Sequence, residues 1–173
     1  MKRWSVLLAV LAFVFAVMPA EEAEAQGVND DYNRVISMNP IGLVLGVLSA
    51  EGEQGRSDTT SMGIAVSLFT PTGFTYLSVE GKYRYYPQGE AMRGFSVGGG
   101  VGLASVSAST AFEDDSSVGF TIGVFLDYQA FLGDDERFAV VGGIGGKRVL
   151  LFDDIAGADL TYPTIRVGIG YAL

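Results

Sequence analysis

Residues 160–173 read LTYPTIRVGIGYAL and alternate between two kinds of residue up to the last position. A period of two residues indicates a β-strand with two unlike faces. One face here is large and apolar, and the other carries Ala, Gly, Arg and Thr. This division is typical of a strand with lipid on one side and a narrow polar interior on the other. The apolar or aromatic positions are Ile165, Val167, Ile169, Tyr171 and Leu173.

The same alternation recurs in earlier segments, so that six segments from residue 59 onward show it, joined by polar turns. An up-and-down antiparallel barrel closes regularly only with an even number of strands. Residues 35–53, interrupted at Asn39–Pro40, could form two strands or one long bent strand, and parity favours two. The sequence therefore predicts an all-β fold over residues 35–173, an up-and-down antiparallel transmembrane β-barrel of eight strands.

The same pattern predicts the connections of the barrel. Residues 54–58 are expected to form a turn, and residues 133–136 a hairpin turn. Residues 108–117 and 151–159 are polar, acidic and expected to form loops. No helix is expected after residue 26.

The beginning of the chain has the features of a secretory signal peptide. Two basic residues are followed by the apolar run Trp4–Val17 and by a small-x-small pattern that ends at Ala25. The apolar run is shorter than the roughly 20 residues that a membrane-spanning helix needs. We expect residues 1–25 to be removed after Ala25, or alternatively after Ala20, leaving residues 26–34 as a flexible mature N-terminus.

Composition excludes several classes of protein. The chain has 11 basic and 20 acidic residues, a net charge of −9, which argues against nucleic-acid binding. It contains neither Cys nor His, so no disulfide can form, and the usual catalytic base near neutral pH is missing. Glycine-rich stretches such as residues 98–102 continue into period-two pattern rather than a helix, which disfavours a phosphate-binding loop. We expect no cofactor, no metal site and no catalytic residue.

Charged residues on the polar faces of the strands are the candidate interior groups. Their signs are mixed, and an isolated charge in a narrow interior would cost several kcal/mol. The favoured interpretation is a structural ion-pair network, with Arg166 paired to Glu80 or Asp127. A proton path, a small pore or a catalytic cluster is the alternative. The candidates are Glu51, Glu80, Lys82, Arg84, Asp127, Lys147 and Arg166.

Aromatic residues lie near the strand ends that precede or follow one set of turns. Aromatic girdles at a membrane–water boundary have this placement, whereas an ordinary sheet core is the alternative. The sequence predicts an outward girdle on the periplasmic side. Its members are Tyr83, Tyr85, Tyr86, Tyr128, Phe131, Phe138 and Tyr171.

A resemblance to a known family rests on three short motifs. They are NPIGL at residues 39–43, KYRYYP at 82–87 and GIGYAL at 168–173. The chain resembles small bacterial outer-membrane β-barrel proteins, including opacity and adhesin-like barrels and uncharacterised outer-membrane barrel-domain families. The resemblance implies a Gram-negative-type envelope, contact with outer-membrane lipid, and biogenesis by periplasmic chaperones and the barrel-assembly machinery. The alternating residues of the last strand resemble the assembly signal, which usually ends in an aromatic residue, most often Phe, whereas this chain has Leu173.

Three functions are weighed. The first is a non-enzymatic outer-membrane barrel with a structural or surface-interaction role, whose extracellular or periplasmic ligand is unknown. The second is a soluble exported barrel that carries a hydrophobic ligand, which would turn its apolar faces inward. The third is a membrane-embedded enzyme; barrel enzymes of similar architecture use His, so this chain would need a carboxylate-only site such as Glu80 with Asp127.

Overall fold

The computed structural model describes residues 32–109, 114–151 and 160–173. Within these ranges each strand pairs antiparallel with the next, and the last pairs with the first, so eight strands form a closed barrel. The predicted eight-stranded up-and-down barrel is confirmed, including two strands at its beginning. The elements are β1 (Arg34–Met38), α1 (Pro40–Val44), β2 (Val47–Ser57), β3 (Thr60–Phe69), β4 (Phe74–Tyr85), β5 (Gly94–Ser109), β6 (Asp114–Leu132), β7 (Phe138–Leu151) and β8 (Leu160–Ala172).

Apolar side chains cover the outside of the barrel. Successive side chains of a strand point to opposite faces, so the period-two pattern divides each strand between outside and interior. Ile165 is 78% exposed and Val124 is 69% exposed, whereas Asp127 on the same strand as Val124 is 3% exposed. The predicted division of the faces is confirmed. Further exposed apolar residues are Leu77, Val79, Val97, Val101, Leu103, Phe120, Ile122, Leu126, Ile144 and Ile169.

Small residues make room inside the barrel for a few large ones. A Cβ atom at Gly98 would overlap the ring of Phe125, and one at Gly102 would overlap the backbone of β4. Phe125 projects into the interior, with Lys82 Nζ 5.4 Å and Arg84 Cζ 5.0 Å from its ring centroid. Because an eight-stranded barrel is only just wide enough for side chains, these glycines determine where the large residues fit.

A five-residue helix, α1, follows β1, so the expectation of no helix after residue 26 is wrong. Asn39 caps the helix, since its side chain accepts a hydrogen bond from Gly42 N at 2.8 Å. Pro40 occupies the first turn, where its missing N–H is not needed and its fixed φ suits the helix. The Asn–Pro pair thus begins a helix as well as ending a strand. No helix among the described residues is long and apolar enough to cross a membrane.

Two predicted connections are also corrected. Strand β2 continues to Ser57 through an irregularity between Gly55 and Ser57, so Gln54, Gly55 and Ser57 pair with β3 and the turn predicted at residues 54–58 is confined to residues 58–59. Strands β5 and β6 extend into the predicted loop 108–117, as far as Ser109 and from Asp114. Residues 110–113 lie outside the described part. Polar side chains do not prevent backbone pairing, and for this reason composition alone misplaced these ends. Of the predicted loop 151–159, residues 152–159 lie outside the described residues.

We call the two ends of the barrel the turn end, which holds connections 86–93 and 133–137, and the loop end, which holds α1 and the turn 70–73. An apolar cluster closes the interior at the turn end. Met92, in a left-handed conformation with φ of 64°, is 1% exposed there. The cluster consists of Tyr32, Val35, Met92, Ala139 and Ala172, with Phe131 packed against it.

The aromatic residues at the turn end divide between the two faces. Tyr83, Tyr85, Tyr128, Phe138 and Tyr171 are exposed on the outside, as predicted. The prediction is wrong for Tyr86, which is fully buried, and for Phe131, which packs on the interior cluster. Tyr86 lies two residues after the inward Arg84, so period two already places it inside.

Candidate functional site

Arg84 on β4 lies at the centre of the charged interior. Its side chain is 1% exposed, and three carboxylates surround it. Its Nη2 atom lies 2.5 Å from Glu51 Oε1, its Nε atom 3.2 Å from Asp127 Oδ2, and its Nη1 atom 3.5 Å from Glu53 Oε2. A buried guanidinium needs such compensation, because its desolvation is otherwise strongly unfavourable.

Two further cations complete this cluster. Lys82 Nζ lies 2.7 Å from Glu51 Oε2. Arg166 Nη1 lies 2.6 Å from Asp127 Oδ2, and its Nη2 lies 3.1 Å from Glu51 Oε1. Glu51 and Asp127 therefore each join cations from β4 and β8, and the cluster ties β2, β4, β6 and β8 together across the interior.

A second ion pair lies closer to the loop end. Lys147 on β7 contacts Glu80 on β4. Strand β4 runs from the loop end to the turn end, so Glu80 lies above Lys82 and Arg84 on the same face. The seven charged residues selected from the sequence thus all point inward, and each contacts a residue of opposite charge.

Sequence reasoning missed Glu53, which is 2% exposed. Its Oε1 atom accepts hydrogen bonds from Ser61 Oγ and from Tyr86 Oη, both at 2.5 Å. The available signal was its position two residues after Glu51, on the same face of a strand. The expectation of a turn from residue 54 onward obscured that signal.

The arrangement suits structure better than proton transfer or metal binding. Each of Glu51, Glu80 and Asp127 already contacts a cation, so these carboxylates serve first to compensate buried positive charge. In the described part of the chain no group of three or more acidic residues is placed to hold a metal ion. The network can fix strands relative to one another and fill the interior.

The interior holds a cavity on one side of the ion-pair network and packed side chains on the other. Toward the loop end, a cavity of about 350 Å³ is lined by both ion-paired charges and tyrosines, among them Glu80, Lys147, Tyr76 and Tyr162. Toward the turn end, Tyr86 and the apolar cluster around Met92 fill the space. The cavity therefore lies on the loop-end side of the charged cluster.

Arg93 and Glu136 join the two connections at the turn end. Arg93 Nη1 donates to Glu136 Oε1 at 3.3 Å, its Nη2 forms an ion pair with the same carboxylate, and its guanidinium lies over the Phe131 ring. The hydrogen bond from Arg93, helped by its charge, lowers the pKa of Glu136. The same hydrogen bond raises the pKa of Arg93.

We expect Glu136→Gln to lower the stability of the folded protein at neutral pH, and to have less effect as the pH falls. A lowered folded pKa means that the pair contributes fully above the ordinary glutamate pKa of about 4.3 and loses this contribution as the pH falls through the lowered value. Urea unfolding midpoints of the variant and the parent should therefore differ at pH 7 and converge in acid. The difference should be small and decrease with salt, because the pair is exposed.

Asp134→Asn, in the same exposed turn, is the control. A midpoint difference for Glu136→Gln that stays constant through the acid range would contradict the role of the ion pair.

The fold is similar to a known barrel. The chain matches the N-terminal β-barrel domain of OprF from Pseudomonas aeruginosa with a TM-score of 0.51 and 12% sequence identity, over 82% of this chain and 98% of that chain. No protein-family model matches the sequence, and no curated protein matches it. At this identity the similarity concerns the architecture, and it supports the closed eight-stranded barrel.

Proposed function

We propose that this protein is a non-enzymatic barrel of the bacterial outer membrane with a structural or surface-interaction role. The apolar outer face is the observation that carries the proposal. Soluble monomers rarely expose apolar patches larger than a few hundred Å², whereas here outward residues such as Val101 and Ile165 are 64% and 78% exposed. Strand β4 has 12 residues and β7 has 14, enough for the roughly 9–11 that a tilted strand needs to cross a bilayer.

The proposed orientation places the turn end in the periplasm and the loop end outside. The five exposed aromatic residues at the turn end support a membrane boundary there, because Trp and Tyr favour the headgroup region. The β5–β6 hairpin, with strands of 16 and 19 residues, extends at the loop end, as extracellular hairpins of such barrels do. The connections between β5 and β6 and between β7 and β8 would then be the surface-interaction segments.

The proposed route to the membrane begins with export through the signal peptide, cleaved after Ala25. Periplasmic chaperones and the barrel-assembly machinery would then receive the chain. The proposed assembly signal is Ile165, Val167, Ile169, Tyr171 and Leu173, and the exposure of Ile165, Ile169, Tyr171 and Leu173 supports this role.

The alternatives fit the geometry less well. A carrier of hydrophobic ligands would have an apolar interior, but the interior here holds the Arg84 cluster and the Glu80–Lys147 pair. A carboxylate-only enzyme would need Glu80 or Asp127 as a free acid or base, and both already contact cations.

Membrane fractionation tests the proposal. We expect the protein to remain with the outer membrane after washing with sodium carbonate or high salt, because its apolar outside is embedded in lipid. A known periplasmic protein released by the same wash is the control. Recovery of this protein in the wash would refute the membrane location and favour a soluble barrel.

A further inference from the structure

The wall of the barrel changes character beside β1. This strand has five residues and pairs with β8 only from Val35 to Met38, opposite Ala172 to Ile169. Strand β8 continues toward the loop end as far as Leu160. Within the described ranges, no strand pairs with this outer part of β8 on the β1 side. A gap in the hydrogen-bonded wall therefore separates β8 from the beginning of β2.

Helix α1 lies at this gap and contacts both β2 and β8. It is short, and within it only Gly42 is buried. The apolar side chains of Val44 and Leu45 are 86% and 70% exposed. Exposed apolar side chains at α1 suit contact with lipid, and the hydrogen bonds within α1 are separate from those of the barrel ladder.

The cavity at the loop end reaches both borders of the gap. Its lining includes Met38 at the end of β1, Val47 at the beginning of β2, and Ile165 and Val167 on β8, all of them apolar. Deeper in, the lining is polar and ionic. The inner residues include Ser49, Ser67, Glu51, Lys82, Glu80 and Lys147. The cavity thus combines an apolar mouth in the wall with a polar interior.

We propose that the gap is a lateral opening through which a zwitterionic membrane lipid places its head group in this cavity, with an acyl chain leaving between β2 and β8 along α1. Both signs of charge line the interior, as the Lys147–Glu80 and Lys82–Glu51 pairs. A head group that carries one ammonium and one phosphate can match both, whereas a net charge would enter without compensation.

The volume is consistent with this occupant. A cavity of about 350 Å³ lies at the lower end of small-molecule sites, which span roughly 300–1,000 Å³. It can hold a head group and not a complete two-chain lipid. The site depends on the membrane location proposed above, since the acyl chain that leaves the cavity must lie in the surrounding lipid.

Ser67→Phe tests the site, because Ser67 lines the cavity and its Oγ lies 3.2 Å from Ser49 Oγ. The adjacent change Leu68→Phe is the matched control, since Leu68 lies on the opposite face of the same strand. The probe is lysophosphatidylethanolamine, titrated into the purified protein in dodecyl maltoside micelles while thermal unfolding is followed. A ligand at 100 times its Kd should raise the unfolding temperature by about 5–10 °C.

The expected result is a saturable rise for the parent and Leu68→Phe that is lost in Ser67→Phe. If Ser67→Phe does not fold, Ser49→Leu at the same cavity replaces it, with the same expected loss. Glycerophosphoethanolamine, which lacks the chain, should produce no rise, and lysophosphatidylglycerol, which is anionic, a smaller one.

Equal rises with the chain-free head group would refute the lateral opening, and equal rises with the anionic lipid would refute the charge matching. An unsaturable rise, or one retained in the cavity variants, would refute the site. Fractionation reports separately on the membrane location, so a barrel that stays in the membrane and shows no saturable rise disproves the lipid site alone.

Discussion

Arg84→Met is expected to lower the free energy of unfolding by about 3–5 kcal/mol, the usual cost of removing one partner from a buried ion pair. The side chain is 1% exposed and contacts Glu51, Glu53 and Asp127. Its loss would leave these carboxylates with only Lys82 and Arg166 as compensating cations. The loss in the free energy of unfolding comes mainly from burying a carboxylate without a partner, and less from losing the attraction between Arg84 and the carboxylates.

A second change separates these two contributions. Glu53→Gln restores the balance of charge in the cluster, so the double variant Arg84→Met/Glu53→Gln should recover part of the stability that the single variant loses. Urea unfolding in lipid vesicles, followed by circular dichroism, gives both free energies. Arg137→Met, beside the turn at residues 133–136, is the surface control. A loss below about 1 kcal/mol for Arg84→Met would mean that the charges relax or hydrate without this arginine.

Adjacent glycines on β7 should respond in opposite directions to the same change. A Cβ atom at Gly143 would lie 2.7 Å from the backbone oxygen of Leu126 and 2.9 Å from Asp127 Cγ. Because a backbone atom cannot move aside cheaply, Gly143→Ala is expected to cost about 3 kcal/mol or more, at the upper end of overpacking. It should also displace Asp127 from its cations.

Gly142→Ala is the matched variant, since a Cβ atom there would meet nothing within 4 Å. Its expected effect is a gain of about 0.4–1 kcal/mol, because Ala reduces the conformational entropy of the unfolded chain. The same vesicle-based urea unfolding measures both variants. Equal effects at the two positions would show that the interior of the barrel is not tightly packed at Gly143.

Much of the fold could be predicted because it depends on a local pattern. Period two in β3–β8 separates inward from outward positions, since alternation is a property of each strand by itself. The girdle prediction was wrong for Tyr86 and Phe131 because it followed closeness to the strand ends and not this period. The strand ends were harder. Residues 54–57 have a turn-like composition, yet pairing with β3 extends β2 through them. Asn39–Pro40 ended a strand as expected, but its capacity to begin α1 became visible only in the structure.

The interior shows the same distinction. The face of the strand on which a charged residue lies predicts whether its side chain points inward, so Lys82, Arg84 and Arg166 could be placed in the interior from sequence. The pairing could not, because it depends on how β2, β4, β6 and β8 are offset across the barrel. Glu51 meets cations from both β4 and β8, strands that are distant in sequence and are brought together only by closure.

The shortness of β1 has a kinetic consequence. Neighbouring strands of the barrel are also neighbours in sequence, except at the junction where Val35 meets Ala172. Joining distant residues carries a larger loop-closure entropy, and such contacts slow folding. With only a few ladder positions to offset that entropy, the β1–β8 junction should form last and separate first. The apolar cluster around this junction includes Tyr32, Met92 and Ala139. Its packing would stabilise the barrel once the junction has formed.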